Sequence, residues 1–298
     1  MKITFLGTSA MKPSRDRNTS GILLTYKGEN ILIDCGEGIQ RQLTKQKISP
    51  TKITKILISH WHGDHVLGLP GLFLTLIQSN YQKTLEIYGP KGIKELIPKL
   101  MSLFSKEAKG LKYNITEITK KGTFLDEKDF FITADNLTHN TPCLAYSFNE
   151  KSRRKINLKY LKKFNLEKDP ILGKLQQGKT IKYKGKKITP EKGTFLIPGK
   201  KITIILDTSF NKKLAKIAEN SDLLISESTF LDTEKQKAKD YKHLTAKQAA
   251  EVAKKSKSKE LILTHISTRY KNEKIVLDEA KKVFKNTKIA KDFLEVTL

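Results

Sequence analysis

The chain holds 298 residues, with 57 Lys and Arg against 31 Asp and Glu, for a formal charge of +26. Its 38% of hydrophobic residues suffices for a globular core, and a mean hydropathy of −0.45 argues against a membrane protein. The longest apolar stretch, residues 66–77, is broken by glycines and Pro70 and falls well short of the roughly 20 residues that span a bilayer.

The length fits one large or two ordinary domains. The excess of base favours polyanionic partners, chiefly nucleic acid. The N-terminus, MKITFLGTSAMKP, has too short an apolar run for the core of an export signal. The two cysteines, Cys35 and Cys143, form no CxxC pair and read as small buried hydrophobes. Both features suit a cytoplasmic protein in a reducing compartment.

In chain order, residues 3–6, 21–26 and 31–34 carry strand patterning separated by turn residues such as Gly28 and Asn30, and 55–59 reads as a further buried strand. Residues 68–78 and 92–104 have helical spacing, whereas 85–88 and the run 113–135 return to β patterning. After residue 201 the spacing predicts strands at 202–206, 223–225 and 261–264, alternating with helices at 211–219, 245–255 and 273–284. Alternating helices and strands place the chain in the α/β class. Between the halves, residues 151–201 hold 17 Lys or Arg and 3 acids, with eight Gly or Pro and sparse apolar positions. That stretch reads as a basic excursion from the fold rather than a part of its core.

The chemistry concentrates in His60-Trp61-His62-Gly63-Asp64-His65, directly after the predicted strand 55–59. Strand ends at the carboxyl edge of an α/β sheet are where such folds bind ligands. Imidazoles with carboxylates suit zinc and its first-row neighbours. His139 follows a β run, His265 ends the strand 261–264, and Asp207 follows the strand 202–206. Five histidines and two aspartates exceed one four-coordinate zinc, so the count implies two ions. Paired metals clamp the attacking and leaving oxygens of a phosphoryl displacement and make hydroxide available near neutral pH, so the predicted chemistry is hydrolysis.

Together these segments resemble the metallo-β-lactamase fold and, within it, the ribonuclease Z family of endonucleases that remove 3′ trailers from precursor tRNAs. The resemblance spans essentially the whole chain. It rests on ITFLGTS from Ile3, DCGEG from Asp34 and HWHGDH with the following Gly68-Leu69-Pro70-Gly71-Leu72. HNTPCLAYSF from His139, LDTS from Leu206 and THISTRY from Thr264 narrow it to ribonuclease Z. It implies an αββα sandwich of two mixed sheets, residues 1–298, with a protruding tRNA-binding arm inserted at 151–198. It further implies two zinc ions per subunit, one held by His60, His62 and His139 and the other by Asp64, His65 and His265, with Asp207 bridging. Nitrogen and oxygen donors also admit Mn²⁺ or Fe²⁺.

By the same resemblance Asp64 is the proton acceptor, although a carboxylate bound to zinc is a poor base and better suited to orienting water. Glu227, in Ser226-Glu227-Ser228-Thr229, would orient His243, which protonates the departing 3′ oxygen. The loop from Pro13 to Asn18 is similar to the family's PxKxRN loop, which reads the tRNA 3′ end, and implies substrate contacts from Arg15, Arg17 and Asn18. Arg269 in the THISTRY segment and Gly173 and Lys174 in the arm are further implied substrate-binding residues. A homodimer in which one subunit's arm serves the other's active site completes the expectation. The competing readings are a broad phosphodiesterase or arylsulfatase-like hydrolase and a non-catalytic RNA-binding protein.

Overall fold

The computed structural model describes residues 1–103 and 110–298. The chain divides into two compact units. The first comprises Met1–Leu125, Ile132–Phe148 and Lys201–Leu298, and the second comprises Asp126–Phe131 and Asn149–Lys200. Among the described residues no helix is long and apolar enough to cross a membrane.

Two seven-stranded sheets carry the fold. The first runs in the order Glu295–Thr297, Lys2–Gly7, Gly21–Tyr26, Glu29–Ile33, Lys55–Leu57, Leu85–Pro90, Tyr113–Ile118. Its pairs are antiparallel as far as Glu29–Ile33 and parallel beyond it. The second runs Thr287–Ile289, Leu261–Thr264, Leu223–Glu227, Lys201–Ile205, Cys143–Glu150, Phe130–Leu137, Gly122–Asp126, and its first three pairings are parallel. Both faces of the central strands are buried, so their sequences are near-continuous apolar runs. Leu23 and Leu32 join a cluster with Leu69, Leu72 and Phe73 of the Leu69–Gln78 helix. Tyr26, on the opposite parity, meets Phe148 of the other sheet edge-on at 5.3 Å. The sheets are also tied by Leu144 N–H and the Tyr146 hydroxyl, which donate to the carbonyls of Ser59 and Ile58 at 2.9 and 2.6 Å. Helices Lys213–Ile217, Ala246–Lys255 and Lys274–Lys281 cover the second sheet through an alanine-rich cluster. This is the expected sandwich of two mixed sheets flanked by helices.

Most predicted elements appear within two residues of their expected bounds. The strand expected at 55–59 ends at Leu57, because the Ser59 amide leaves the ladder to donate to the Asp34 carboxylate at 2.7 Å. Thr245 caps the Ala246–Lys255 helix in a reciprocal box with Gln248, which accounts for that helix starting where the pattern begins. The helix expected at 92–104 is present as Ile93–Ser102, and its expected last residue, Phe104, lies outside the described residues. Cys143–Glu150 has no alternation to read because six of its eight residues are buried. Glu295–Thr297 is a three-residue edge strand, too short for any period.

Sparse as its apolar positions are, the second unit packs around a core of its own, formed by Leu161, Leu166, Leu172, Leu175, Ile181 and Ile188. Its elements are three to five residues long, too short for a period to register. A ribbon of Arg153–Ile156 paired with Thr194–Ile197 and a tight hairpin of Ile181–Tyr183 with Lys186–Ile188 frame it.

Candidate metal centre and active site

The functional side chains of the first unit stand at the carboxyl ends of strands. His60 and His62 follow Lys55–Leu57, and Asp64 and His65 lie in the turn of helix Gly63–Val66 behind them. His139 follows Phe130–Leu137, Asp207 follows Lys201–Ile205, and His265 follows Leu261–Thr264 in a left-handed conformation at φ 55°. The structure thus brings all seven expected ligands together.

They fall into two sets around Asp207. In the first, His60 Nε2 and His139 Nε2 lie 3.1 and 3.2 Å from His62 Nδ1, and 3.5 and 3.8 Å from Asp207 Oδ2. In the second, Asp64 Oδ2 lies 3.4 and 3.3 Å from the Nε2 atoms of His65 and His265, and His265 Nε2 lies 3.3 Å from Asp207 Oδ1. A tetrahedron with metal bonds of about 2.0–2.2 Å has edges of roughly 3.3–3.6 Å, so these spacings match a ligand shell. His65 Nε2 and Asp207 Oδ1 are buried without any hydrogen bond of their own, a costly arrangement unless another group satisfies them. The donor set and its orphaned atoms therefore fit two metal ions.

The far nitrogens of four of these rings are fixed. Asp34 accepts from His65 Nδ1–H at 2.6 Å and from the Ser59 hydroxyl at 2.7 Å. With its hydrogen so committed, Ser59 accepts from His60 Nδ1–H at 3.0 Å. His139 Nδ1–H donates to the Lys242 carbonyl at 3.1 Å, and His265 Nδ1–H to the Thr229 hydroxyl oxygen at 2.9 Å. Each bond selects the tautomer whose Nε2 lone pair points inward, as metal ligation requires. Burial pushes the pKa values of His60, His62 and His139 down, keeping the rings neutral. Burial also opposes charge on His65, but the carboxylates of Asp207, Asp34 and Asp64 outweigh it and raise its pKa. Asp207, fully buried, is nonetheless held well below the usual carboxylate range by the imidazoles of His265 and His65.

His243 stands beside this centre. Its Nδ1–H lies 3.1 and 3.2 Å from the two Glu227 oxygens. Glu227 is fully buried and also accepts from Thr208 N–H at 2.8 Å and the Thr229 hydroxyl at 2.6 Å. Burial disfavours a charged His243, but Glu227 and then Asp207 overcome it and lift the pKa to about 9. The pair is a carboxylate-oriented imidazolium with Nε2 left for a substrate.

Sequence reasoning missed Asp34, Ser59 and Thr229, which hydrogen-bond to the expected ligands without being among them. Asp34 could have been found by the rule that found Asp207: an aspartate at a strand end, here with φ 58°. Of the expected substrate loop, Arg15 is exposed. Arg17 instead turns inward, pairing with Glu273 at 2.8 Å and donating to the Ala290 carbonyl at 2.8 Å. In this structure the guanidinium is engaged in bracing the loop. Asn18 donates to the Glu37 carbonyl at 2.7 Å. Arg269 lines a cleft of about 630 Å³ with His62, Asp64, His139, Asp207, His243 and His265. Gly173 and Lys174 lie in helix Leu172–Gln176 of the second unit, with Lys174 exposed.

Paired sheets with a His/Asp centre at the strand ends define a metallo-β-lactamase-fold protein. The Bacillus subtilis metallo-β-lactamase fold protein YhfI superposes with a TM-score of 0.73 at 22% identity, covering 99% of this chain and 98% of that one. A family model described as Anti-Pycsar protein Apyc1 matches residues 1–112, little more than a third of the chain. The ribonuclease Z of Nanoarchaeum equitans (strain Kin4-M) is 40% identical over 268 residues, 90% of this chain and 84% of that protein. The crystal structure of the short form of human tRNase Z (ELAC1) matches with a TM-score of 0.72 and 30% identity, covering 100% of this chain and 99% of that one. The chain belongs to the ribonuclease Z family.

Proposed function

We propose that the protein cleaves precursor tRNA after the discriminator base, releasing the 3′ trailer and leaving a tRNA 3′-hydroxyl. The observation that carries the reading is the Asp207 carboxylate, which lies between the two clusters, its Oδ2 3.5 and 3.8 Å from His60 and His139 and 3.6 Å from His65, its Oδ1 3.3 Å from His265. His60, His62, His139 and Asp207 would hold one ion, and Asp64, His65, His265 and Asp207 the other. Zinc is the ion the donor set suits best, and when bound it would polarise the scissile phosphate and make hydroxide available at neutral pH.

The remaining chemistry falls to the chain. Asp64 Oδ2 accepts from the Met11 amide at 2.8 Å, and this carboxylate orients the attacking water by hydrogen bonding. His243, its Nδ1–H held by Glu227, gives its Nε2 proton to the departing 3′ oxygen, and Glu227 stabilises the imidazolium while that proton is held. The second unit supplies affinity without base readout, its lysines meeting tRNA phosphates. Cytoplasmic location and a homodimer complete the reading; sedimentation of the purified chain tests the latter.

The test is a gel assay of the metal-loaded protein on a precursor tRNA with a 3′ trailer, beside bis-p-nitrophenyl phosphate and a chelated control. Chelator-sensitive cleavage at the discriminator is the expected result. Hydrolysis of the small ester alone would move the function to a broad phosphodiesterase.

A further inference from the structure

One wall of the cleft is aromatic and has no part in the metal chemistry. The Phe230 ring is buried to 4% exposure, and the Tyr241 ring lies nearly parallel to it, 6.3 Å away at an interplanar angle of 20°. Tyr241 itself is 61% exposed. The Arg269 guanidinium sits 4.8 Å from the Phe230 centroid. It is held there by Glu234 at 2.6 Å and by the Ser267 hydroxyl at 3.1 Å. Glu234 in turn accepts from the Tyr270 hydroxyl and from Lys237. Tyr241 is anchored by its amide, which donates to the Lys237 carbonyl at the end of helix Lys235–Asp240 at 2.9 Å. Tyr241, Phe230 and Arg269 all line the cleft that holds the histidine centre.

A tyrosine supported by a buried ring and open toward an active-site cleft is a stacking platform. Base–aromatic stacking is tolerant of sequence, since every base has a π face, and an adjacent guanidinium adds a planar cation. The position of the shelf selects the nucleotide. Phe230 lies 6.0 Å from the His243 ring, and His243 is the group assigned to the departing 3′ oxygen. That oxygen belongs to the ribose on the 5′ side of the cut. We infer that Tyr241, backed by Phe230 and flanked by Arg269, stacks on the discriminator base and so positions its ribose at His243. The inference rests on the reading of the protein as a precursor tRNA endonuclease.

The test couples a change in the enzyme to a change in the substrate. Precursor tRNAs carrying a purine at the discriminator, an abasic discriminator, or an abasic first trailer nucleotide are cleaved by the wild type, Tyr241→Ala and Tyr241→Phe. Tyr241→Ala is expected to lower kcat/KM on the purine precursor about tenfold, mainly through KM, with Tyr241→Phe retaining most of the activity. On the abasic-discriminator substrate the Tyr241→Ala loss is expected to vanish, and on the abasic-trailer substrate to persist in full. An equal loss on all three precursors would make Tyr241 a structural support and overturn the inference. So would a loss that vanishes only with the abasic trailer, or unchanged kinetics throughout. A wild type that cleaves no precursor while hydrolysing bis-p-nitrophenyl phosphate would instead remove the functional reading and the inference with it.

Discussion

The Asp34 carboxylate and the His65 imidazole meet at 2.6 Å with neither side chain exposed to solvent. Asp34 is not among the proposed metal ligands, yet it fixes a ring that is. Replacing it by asparagine keeps the size and tolerates the left-handed backbone at φ 58°, but it removes the charge and puts an amide donor where His65 and Ser59 both donate. Asp34→Asn should therefore weaken metal binding about 10–100-fold, read as the chelator concentration that strips the protein. Unaltered retention of both ions would show that His65 needs no orienting partner.

In the proposed reaction His243 and Glu227 separate proton donation from metal binding. The third potential cluster, Asp207 with His243 and His265, would make His243 a ligand, but its Nδ1–H is committed to Glu227. His243→Ala should lower kcat on precursor tRNA by about 10²–10⁴ while the metal content per chain stays the same. Loss of an ion in that variant would return His243 to the ligand set.

How far these residues could be read in advance depended on how local their signal was. HWHGDH lies within six residues, and Asp207 and His265 stand after apolar runs long enough to be recognised as strands. The expected ligands were therefore legible and the structure gathers them. Thr229 was not, because its partner His265 lies 36 residues away and only the folded sheet brings them together, whereas Asp34 offered the same strand-end signal as Asp207. The bracing role of Arg17 was hidden for the same reason as that of Thr229: the resemblance of its loop implied a substrate contact, and its partner Glu273 is 256 residues distant. In the second unit the basic charge was plain, but a core of six residues spread over helices and strands of three to five leaves no period to detect.

Glu234 ties Arg269 to the cleft, and its protonation should loosen that tie. The Tyr270 hydroxyl, with Lys237 and Arg269 behind it, depresses the Glu234 pKa to about 2. A folded pKa below the unfolded value near 4.5 contributes stability that is full above about pH 4.5 and is lost as pH falls toward 2. The carboxylate is partly solvated, so the gain is below about 1 kcal/mol. Glu234→Gln should melt slightly below wild type at pH 7, with the gap closing as the pH falls below about 4. A gap that stays constant between pH 3 and pH 7 would assign the difference to packing instead.

The hairpin of the second unit offers a test of RNA binding that leaves the catalytic centre untouched. Lys182, Lys184, Lys186 and Lys187 are all exposed around the turn at Gly185, and Ile181 and Ile188 anchor the hairpin in the core below. Lys186 also lies over the Phe164 ring at 5.6 Å, so it is best left in place. Changing Lys182, Lys184 and Lys187 to serine removes three cations without disturbing that packing. Each lysine that meets a phosphate releases counterions on binding, so the slope of log KM for precursor tRNA against log salt should shrink by about 0.7–0.9 for every lysine–phosphate pair removed. At low salt KM should rise, whereas hydrolysis of bis-p-nitrophenyl phosphate, too small to reach beyond the metal centre, should keep its rate. An unchanged salt slope would place the phosphate-binding lysines elsewhere on the chain, and a matching drop in rate on the small ester would mean that the substitutions act through folding rather than through RNA.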